Sequence, residues 1–237
     1  MKRSALTVGI VDYGLGNLFS IQQACQHAGL RSVVTSSRAE LSRSAAIILP
    51  GVGAFGDAMG ALKRLQLLDV LRECAESGRP FWGICLGMQL LMTESYEFGH
   101  HCGLGFIEGP AMKLNGSMAK FDATLPRRTK VPHVGWSQLR RPSSSSLSHT
   151  RLVCQDWSGS PLEGVHEGDY MYFIHSYYTQ PKDADVVLSV TDYGGISFCS
   201  SLQRGNIFGC QFHPERSGEK GIQIYRNLGC LLRETME

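Results

Sequence analysis

The sequence predicts an α/β protein with a doubly wound sheet, mixed or parallel, and flanking helices, folded as a single domain. Short apolar runs typical of buried strands alternate with longer stretches in which apolar residues recur at helical spacing. Glycine-rich loops follow several of the apolar runs, as they do where parallel strands turn into helices. At 237 residues the chain is long enough for one such domain with a full core.

The composition argues against several classes of function. The net charge is +2 and charged residues make up 19%, so nothing indicates a nucleic-acid or membrane-surface binder. The 8 cysteines are scattered without a Cys-x-x-Cys pair, which favours a reducing compartment over a disulfide framework. No apolar run reaches the length of about 18 residues typical of a membrane helix, and residues 6–11 are too short a run for a secretory signal. We expect a cytoplasmic protein with no nucleic-acid or membrane partner.

The first third of the chain has the clearest alternation of strands and helices. Three segments are its predicted strands: residues 6–11, 31–35 and 45–49. Asn17 is the predicted cap of a first helix that Gly29 ends. A second helix is predicted to run without a break from about Asp57 to Gly78, because leucines recur along one face of it.

Cys85 lies between a predicted strand, residues 81–84, and a helix predicted for residues 88–98. Gly83 and Gly87 flank it two positions away on either side, which permits the sharp turn of a nucleophile elbow with sulfur in place of oxygen. Such a turn places the side chain beyond the carboxyl end of a strand, where ligands bind in these sheets. The N–H groups of the following helix favour a reactive thiolate. The alternative is a buried, inert cysteine.

The pattern changes after Gly99, where short β-like runs alternate with Gly, Pro and Ser clusters. These runs predict an antiparallel or mixed extension of the sheet and cover residues 130–139, 171–179, 186–191, 196–202 and 207–212. Residues 143–169 are polar and predict a surface insertion within a domain of residues 1–237. A closing helix is predicted from about Ser217 to Glu234.

Residues 51–56 match the pattern Gly-x-Gly-x-x-Gly between a predicted strand and a helix. Dinucleotide binding is the weaker interpretation, because the loop follows the third strand and because Glu73 and Glu76 both fall inside a helix. We favour a loop whose backbone N–H groups face a developing oxyanion, since glycine lets the backbone approach a substrate. No cofactor is therefore predicted.

His213 and Glu215 form the second candidate catalytic group. A thiolate that attacks a carbonyl needs a base to carry its proton to the leaving group. Residues two apart in an extended segment point the same way, so Glu215 is placed to orient His213, and Pro214 favours an extended conformation at His213. The alternative is a His-Pro turn at the end of a strand.

The remaining histidines predict structure more than chemistry. His100, His101 and Cys102 are adjacent, but no second ligand pair occurs at zinc spacing, so no metal site is predicted. His133 and His175 lie within β-like runs and are interpreted as structural histidines.

Three separated motifs resemble those of the class I (triad) glutamine amidotransferases and occur in the same order. They are residues 50–53, 83–89 and 213–215. The resemblance implies the flavodoxin-like fold of that class. Within it, three further segments are most similar to the glutaminase subunits of imidazole glycerol phosphate synthase. These are residues 12–17, 131–136 and 172–177.

The resemblance implies a mechanism in which Cys85, His213 and Glu215 hydrolyse glutamine to glutamate and ammonia through a thioester on the cysteine. It also implies an oxyanion hole made of backbone N–H groups near Gly53 and Leu86. The implied glutamine-binding residues are Gln89, Ser176 and Tyr177.

The resemblance further implies a heterodimer with a separate (β/α)8-barrel synthase subunit. That subunit receives the ammonia and makes imidazole glycerol phosphate and an aminoimidazole carboxamide ribotide in histidine biosynthesis. Residues 12–17 and 131–136 are the candidate docking segments, and the backbone of residues 50–53 is hypothesised to rotate when the synthase binds its ligand. Two features depart from the family pattern: the 143–169 insertion and Arg216, where lysine is usual.

Three other functions stay open at this point. One is a paralogous glutaminase that supplies ammonia for amination of a surface-polysaccharide sugar. The second is a non-catalytic subunit that keeps the fold, which an intact Cys85, His213 and Glu215 argues against. The third is a cysteine peptidase, although Gln89 and the glycine loop fit a small amide better than a peptide.

Overall fold

A computed structural model describes residues 6–114, 130–142 and 157–234 of the chain. Its strands are β1 (Thr7–Val11), β2 (Arg31–Thr35), β3 (Ala46–Leu49), β4 (Phe81–Ile84), β5 (Met92–Ser95), β6 (His101–Cys102), β7 (Ile107–Lys113), β8 (His133–Gln138), β9 (Tyr170–His175), β10 (Tyr177–Thr179), β11 (Val187–Tyr193), β12 (Ile196–Arg204) and β13 (Ile207–Cys210). Its α-helices are α1 (Leu18–His27), α2 (Arg38–Arg43), α3 (Phe55–Arg64), α4 (Leu68–Glu76), α5 (Leu86–Leu90) and α6 (Gly218–Glu234). Within these ranges no helix is long and apolar enough to cross a membrane.

Eleven of the described strands form one mixed sheet, in the order β2-β1-β3-β4-β13-β12-β10-β7-β5-β6 with β11 paired to β12. The five strands from β2 to β13 are parallel to their neighbours. From β12 onward most pairings are antiparallel, so the predicted mixed sheet is confirmed. The strands β8 and β9 form a separate two-stranded ribbon. The prediction that residues 130–139 extend the main sheet is therefore wrong. The predicted run 171–179 is divided, because residues 171–175 belong to the ribbon and only β10 joins the main sheet.

The core lies on both faces of the sheet, because alternate residues of the buried strands point in opposite directions. Ala46 and Ile48 of β3 join the apolar cluster that also contains residues of α1 and α6. Ile47 and Leu49 join the cluster formed with α3 and α4. The doubly wound arrangement thus follows from strands that are apolar at every position.

Two helix predictions are wrong in extent. The helix predicted from Asp57 to Gly78 is divided into α3 and α4, because Gln66 adopts a left-handed conformation with φ 55°. The helix predicted for residues 88–98 ends at Leu90, and the chain continues directly into β5. That strand pairs with β7, which the sequence pattern did not predict because Gly109 and Pro110 interrupt its apolar run.

The predicted surface insertion is described only from residue 157 onward, and this part packs against the core. Trp157, Leu162 and Val165 are buried, and the indole N–H of Trp157 donates to the backbone oxygen of Leu188 at 2.7 Å. Residues 158, 159, 163, 164, 166 and 167 are exposed, so this part of the predicted insertion lies at the surface and is anchored to the core by a few buried apolar side chains. Residues 143–156 lie outside the described part of the chain.

Candidate active site

Cys85 occupies a strained turn between β4 and α5. Its backbone has φ 54° and ψ −110°, which side-chain-bearing residues rarely adopt. A Cβ atom on Gly83 would lie 2.7 Å from the backbone oxygen of Gly87, and one on Gly87 would lie 1.8 Å from the backbone oxygen of Leu49. The backbone N–H of Cys85 donates to the oxygen of Cys210 at 2.8 Å, which ties the turn to β13. The predicted elbow is confirmed, with glycine required on both sides.

His213 and Glu215 follow β13 and are both buried. Nδ1 of His213 lies 2.7 Å from Oε1 of Glu215, and the two side chains are 6% and 0% exposed. The backbone N–H of His213 donates to the oxygen of Tyr172 at 2.9 Å. The other ring nitrogen, Nε2, is buried without a hydrogen-bond partner among the described residues. His213 lines the same cavity as Cys85, so Nε2 is available to exchange a proton with that cysteine or its substrate.

The electrostatics favour a cationic His213. Burial lowers the pKa of His213, but electrostatic attraction to Cys85 and the hydrogen bond and charge of Glu215 together raise that pKa to about 10. An imidazolium beside a sulfur atom favours the thiolate form of the cysteine. His213 is therefore placed to supply a proton to a leaving group.

A cavity of about 260 Å³ opens beside Cys85. Of the eight predicted site residues, all but the buried Glu215 line this cavity: Gly53, Cys85, Leu86, Gln89, Ser176, Tyr177 and His213. The remaining lining residues were not predicted as part of a site: Val52, Glu97, Pro132, Ile174 and His175. The structure thus brings together residues from the loop after β3, the elbow with α5, the segment after β5, the β8–β9 ribbon with β10, and the segment after β13.

Glu97 is a site residue that sequence reasoning missed. It is the only carboxylate in the cavity wall within the described residues, and it is 9% exposed. Its Oε2 accepts from the backbone N–H of Phe55 at 2.6 Å, at the N-terminus of α3. The sequence placed Glu97 within a predicted helix, so nothing marked it as a residue of the cavity wall.

The glycine loop after β3 lies against the elbow. The hydroxyl of Tyr13 donates to the backbone oxygen of Pro50 at 2.7 Å. A Cβ atom on Gly51 would lie 2.6 Å from that hydroxyl and 2.8 Å from Cβ of Leu86. Gly53 has φ 96° and lies in the cavity wall. Leu86 is the first residue of α5, and the backbone N–H at that position has no acceptor within the helix.

A chain of amide contacts connects Gln89 to the cysteine. Nε2 of Gln89 donates to the backbone oxygen of Tyr177 at 2.8 Å and to Oε1 of Gln211 at 3.0 Å. Nε2 of Gln211 lies 3.6 Å from Sγ of Cys85. The sulfur also lies 3.7 Å from the backbone oxygen of Ile174. Gln89 is therefore held in one orientation at the edge of the cavity.

The adjacent pair His100 and His101 has separate contacts. Nε2 of His100 lies 2.8 Å from Oε2 of Glu94, whereas the ring of His101 packs beside Gly56. Across residues 6–114, 130–142 and 157–234, no group of three or more His, Cys, Asp or Glu side chains is placed to hold a metal ion.

The β8–β9 ribbon has an apolar outer face that is exposed. Cross-strand pairing sets Val134 beside Ile174 and Trp136 beside Tyr172. Val134 and Trp136 are each 53% exposed, and Ile174 is 40% exposed. The guanidinium of Arg216 stacks 4.3 Å from the ring centre of Tyr172. We call these five residues, together with the exposed Tyr170, the outer ribbon face.

Comparison with known proteins agrees with this geometry. The family model for glutamine amidotransferase class-I matches residues 9–229. A solved structure described as a glutamine amidotransferase matches 95% of this chain, with a TM-score of 0.65 and 17% identity. A second match, to PurLQS from Thermotoga maritima, has a TM-score of 0.65 at 20% identity and covers 99% of this chain and 100% of that one. The chain belongs to the glutamine amidotransferase class-I family.

Relatives within the family indicate which glutamine amidotransferases the chain resembles. The chain is 42% identical over 219 residues to imidazole glycerol phosphate synthase subunit HisH of Aquifex aeolicus, covering 92% of this chain and 93% of that protein. It is 41% identical over 226 residues to subunit HisH of Moorella thermoacetica, covering 95% of each. Within the family the chain is HisH-like.

Proposed function

We propose that the chain is the glutaminase subunit of an imidazole glycerol phosphate synthase, which releases ammonia from glutamine for histidine biosynthesis. One observation carries the activity: a strained cysteine elbow shares a cavity with a buried His213–Glu215 pair. Identity of about 40% to HisH subunits over more than 90% of the chain supports the choice of pathway.

In the proposed mechanism, the Cys85 thiolate attacks the side-chain amide carbon of glutamine. The negative charge that develops on the amide oxygen is stabilised by backbone N–H groups at Gly53 and Leu86. The His213 imidazolium protonates the departing nitrogen, and ammonia leaves a glutamyl thioester on Cys85. His213, now neutral, takes a proton from water, which attacks the thioester and releases glutamate. Glu215 orients the ring of His213 through Nδ1.

The substrate is held by groups of complementary charge and hydrogen-bonding character. Glu97 is the proposed partner of the glutamine α-ammonium group, because it is a nearly buried carboxylate in the cavity wall. Gln89, with Ser176 and Tyr177, forms the wall proposed to hold the rest of the substrate. A cavity of about 260 Å³ suits one free amino acid better than an extended peptide.

The proposed partner is a separate (β/α)8-barrel synthase subunit in a cytoplasmic heterodimer. The outer ribbon face and residues 12–17 are the proposed docking surface, because exposed aromatic and apolar side chains gather on the ribbon beside the cavity. Docking there leaves the ammonia only a short path from Cys85 to the partner. A glutaminase for sugar amination would use the same cysteine and differ in its partner.

The first experiment measures glutamate release by the full chain, alone and with a candidate barrel subunit and its nucleotide substrate. We expect turnover that requires both additions and disappears in Cys85→Ala. Cys102→Ala, which removes an exposed cysteine, is the matched control and is expected to keep wild-type turnover.

The outcomes separate the alternatives. Turnover that depends on a sugar-modifying barrel partner, but not on the histidine-pathway one, would replace the proposed pathway. No turnover with either partner would overturn the glutaminase proposal itself, and hydrolysis of peptides by the chain would favour a peptidase.

A further inference from the structure

Two buried histidines face each other on the inner side of the β8–β9 ribbon. His133 and His175 are paired residues of the two strands and are 1% and 5% exposed. Nδ1 of His133 lies 3.1 Å from Nε2 of His175. The other nitrogen of each ring is also occupied: Nε2 of His133 lies 2.9 Å from the Ser137 hydroxyl, and Nδ1 of His175 lies 2.9 Å from the backbone oxygen of Tyr177. All four ring nitrogens therefore have partners.

The direction of every hydrogen bond in this series follows from its last acceptor, the backbone oxygen of Tyr177. A carbonyl oxygen can only accept, so Nδ1 of His175 carries the hydrogen. Burial is the main reason that the pKa of His175 falls to about 3 and that of His133 to about 4, so both rings are neutral at neutral pH. Nε2 of a neutral His175 must then accept from Nδ1 of His133. Nε2 of His133 must in turn accept from the Ser137 hydroxyl.

This series of hydrogen bonds, all donated in the same direction, ends at the cavity. The backbone oxygen of Tyr177 accepts from His175 and also from Nε2 of Gln89. Gln89 contacts Gln211, whose amide reaches Cys85. The two histidines thus fix the carbonyl that fixes Gln89. His175 itself is part of the cavity wall, and the outer ribbon face is formed by the alternate residues of the same two strands.

We propose that His133 and His175 are positioning residues, a relay of fixed tautomers from Ser137 to Tyr177 that shapes the glutamine-binding wall of the cavity. The proposal rests on the proposed glutaminase function and assigns the pair to substrate binding rather than to the chemical step.

A purely structural role for His133 makes a different prediction. Its ring also stacks on Phe173 and Tyr193, with ring centres 4.9 Å and 3.9 Å away. If stacking were its whole purpose, an aromatic replacement without N–H groups would serve as well. If the relay matters, a replacement that keeps the donor near Nδ1 would serve better.

The first test reads the tautomers directly and needs no activity. Long-range nitrogen–proton NMR spectra of the full chain labelled at histidine nitrogen would be recorded at pH 7, with His133→Phe used for assignment. We expect both His133 and His175 to be neutral and to carry the hydrogen on Nδ1. A hydrogen on Nε2 of either ring, or a protonated ring at that pH, overturns the relay.

The second test compares two variants that keep opposite halves of the His133 side chain. His133→Phe keeps the stacked ring and removes the donor, whereas His133→Asn keeps an N–H donor near the position of Nδ1 and removes the ring. In the partner-stimulated assay we expect His133→Phe to raise the KM for glutamine about tenfold with kcat within about threefold. We expect the KM of His133→Asn to stay within about threefold of wild type.

The results discriminate between the two roles. Wild-type KM in His133→Phe together with a raised KM in His133→Asn would overturn the relay in favour of stacking. If the wild-type chain shows no glutaminase activity, the proposed function fails, while the NMR test of the relay still stands. If either variant fails to fold, Ser137→Ala gives the second measurement: because the Tyr177 carbonyl sets both tautomers, we expect His133 to keep the hydrogen on Nδ1, and a hydrogen on Nε2 of His133 in that variant would overturn the relay.

Discussion

Cys85 can stand at the elbow only because the backbones around it approach without side chains. Gly83, Gly87 and Gly51 each face an atom closer than 3.0 Å to where a Cβ would be. The contacts of Gly83 and Gly87 are with backbone, which cannot move aside as the end of a flexible side chain can. Removing three side chains from one corner of the core leaves the strain of the cysteine supported by close backbone packing.

Gly51→Ala tests whether the loop after β3 must keep its place. The added methyl would press on Tyr13 and Leu86, so we expect the loop to shift and partner-stimulated kcat to fall at least about tenfold, with a cost of about 1–3 kcal/mol in unfolding free energy. Gly60→Ala is the control, because its Cβ would meet only the end of Arg64 at 3.4 Å in the interior of α3. It is expected to gain about 1 kcal/mol of stability and keep full activity. Full stimulated activity in Gly51→Ala would contradict a loop that rotates to complete the oxyanion hole.

Glu97→Gln tests recognition of the substrate ammonium group. The amide oxygen of the introduced side chain can still accept from the backbone N–H of Phe55. The substitution therefore removes the negative charge but keeps the hydrogen bond at the N-terminus of α3. We expect the KM for glutamine to rise roughly tenfold to a hundredfold, the equivalent of losing a charge-assisted hydrogen bond, with kcat within about threefold. Glu94→Gln, on a neighbouring carboxylate that contacts His100, is the control. Equal KM values for wild type and Glu97→Gln would remove Glu97 from the binding site.

The β8–β9 ribbon makes the stability of the chain sensitive to acid. The pKa values of His175 and His133 are lowered to about 3 and about 4 in the folded state, whereas free histidine titrates near 6.5. Between pH 6.5 and about 4 the unfolded chain therefore binds protons that the folded chain excludes, and stability falls as the pH falls. His213 has the opposite sign: its raised pKa contributes stability that is full below about pH 6.5 and is lost as the pH rises through about 10.

Urea unfolding at pH 7.5 and pH 5.5 measures this effect. Each neutral buried histidine contributes up to about 1.4 kcal/mol per pH unit once its unfolded form is fully protonated. We expect His133→Phe to lose part of the acid-dependent decrease in unfolding free energy, because one of the two groups no longer titrates. His27→Gln, which changes an exposed histidine of α1, is the matched control. An unaltered pH dependence in His133→Phe would contradict a neutral, buried His133.

Secondary structure was predictable where one element is apolar by itself. β4 is an apolar run and has the predicted bounds. β2 also has the predicted bounds, since its β-branched residues Val33, Val34 and Thr35 favour a strand. The strand β5 was mistaken for helix because its residues satisfy a helical pattern, and only pairing with β7 and β6 makes it a strand. The break at Gln66 likewise has no local glycine or proline to reveal it.

The site was predictable in proportion to how much of its chemistry is local. The Cys85 elbow and the His213–Glu215 pair each lie within one short segment, and both the elbow and the predicted contact are present. The extended segment predicted for the pair is wrong, because residues 214–216 form a 3-10 turn that begins at Pro214 and brings Glu215 to His213. Glu97 and the His133–His175 contact depend on elements that meet only in the folded chain. The tautomers of the two histidines can be assigned only from the position of the Tyr177 carbonyl, which is 44 residues after His133 in the sequence.

At the scale of the whole molecule, the sheet order explains why one cavity contains residues from across the chain. β3, β4 and β13 are neighbours and parallel, so the loops after them emerge at the same edge. These loops carry the glycine loop, the elbow and the His213–Glu215 pair. The β8–β9 ribbon then covers this edge, adding Pro132 and residues 174–177 to the cavity wall. The exposed apolar side of the ribbon thus lies within one strand thickness of the proposed substrate.

The outer ribbon face gives a prediction for assembly. Trp136 is 53% exposed, and its ring meets Tyr172 edge-on at 5.9 Å between centres, while Arg216 stacks on Tyr172 at 4.3 Å. Side chains held in this way lose little freedom on binding, and Trp, Tyr and Arg are the residue types that dominate binding energy at interfaces. We expect Trp136→Ala to weaken binding of the barrel subunit at least about thirtyfold, measured by calorimetry, which corresponds to about 2 kcal/mol.

The control for assembly is Leu65→Ala, which removes an exposed apolar side chain at the end of α3, far along the chain from the ribbon. It is expected to bind the partner as the wild type does. The relay argument adds a second expectation: at saturating partner, Trp136→Ala should recover most of its kcat, because the histidine pair and Gln89 lie on the inner side of the ribbon and keep their contacts. Unchanged affinity in Trp136→Ala would show that the docking surface lies elsewhere. If affinity is lost and no partner concentration restores kcat, Trp136 takes part in the signal between the subunits and is not only an anchor.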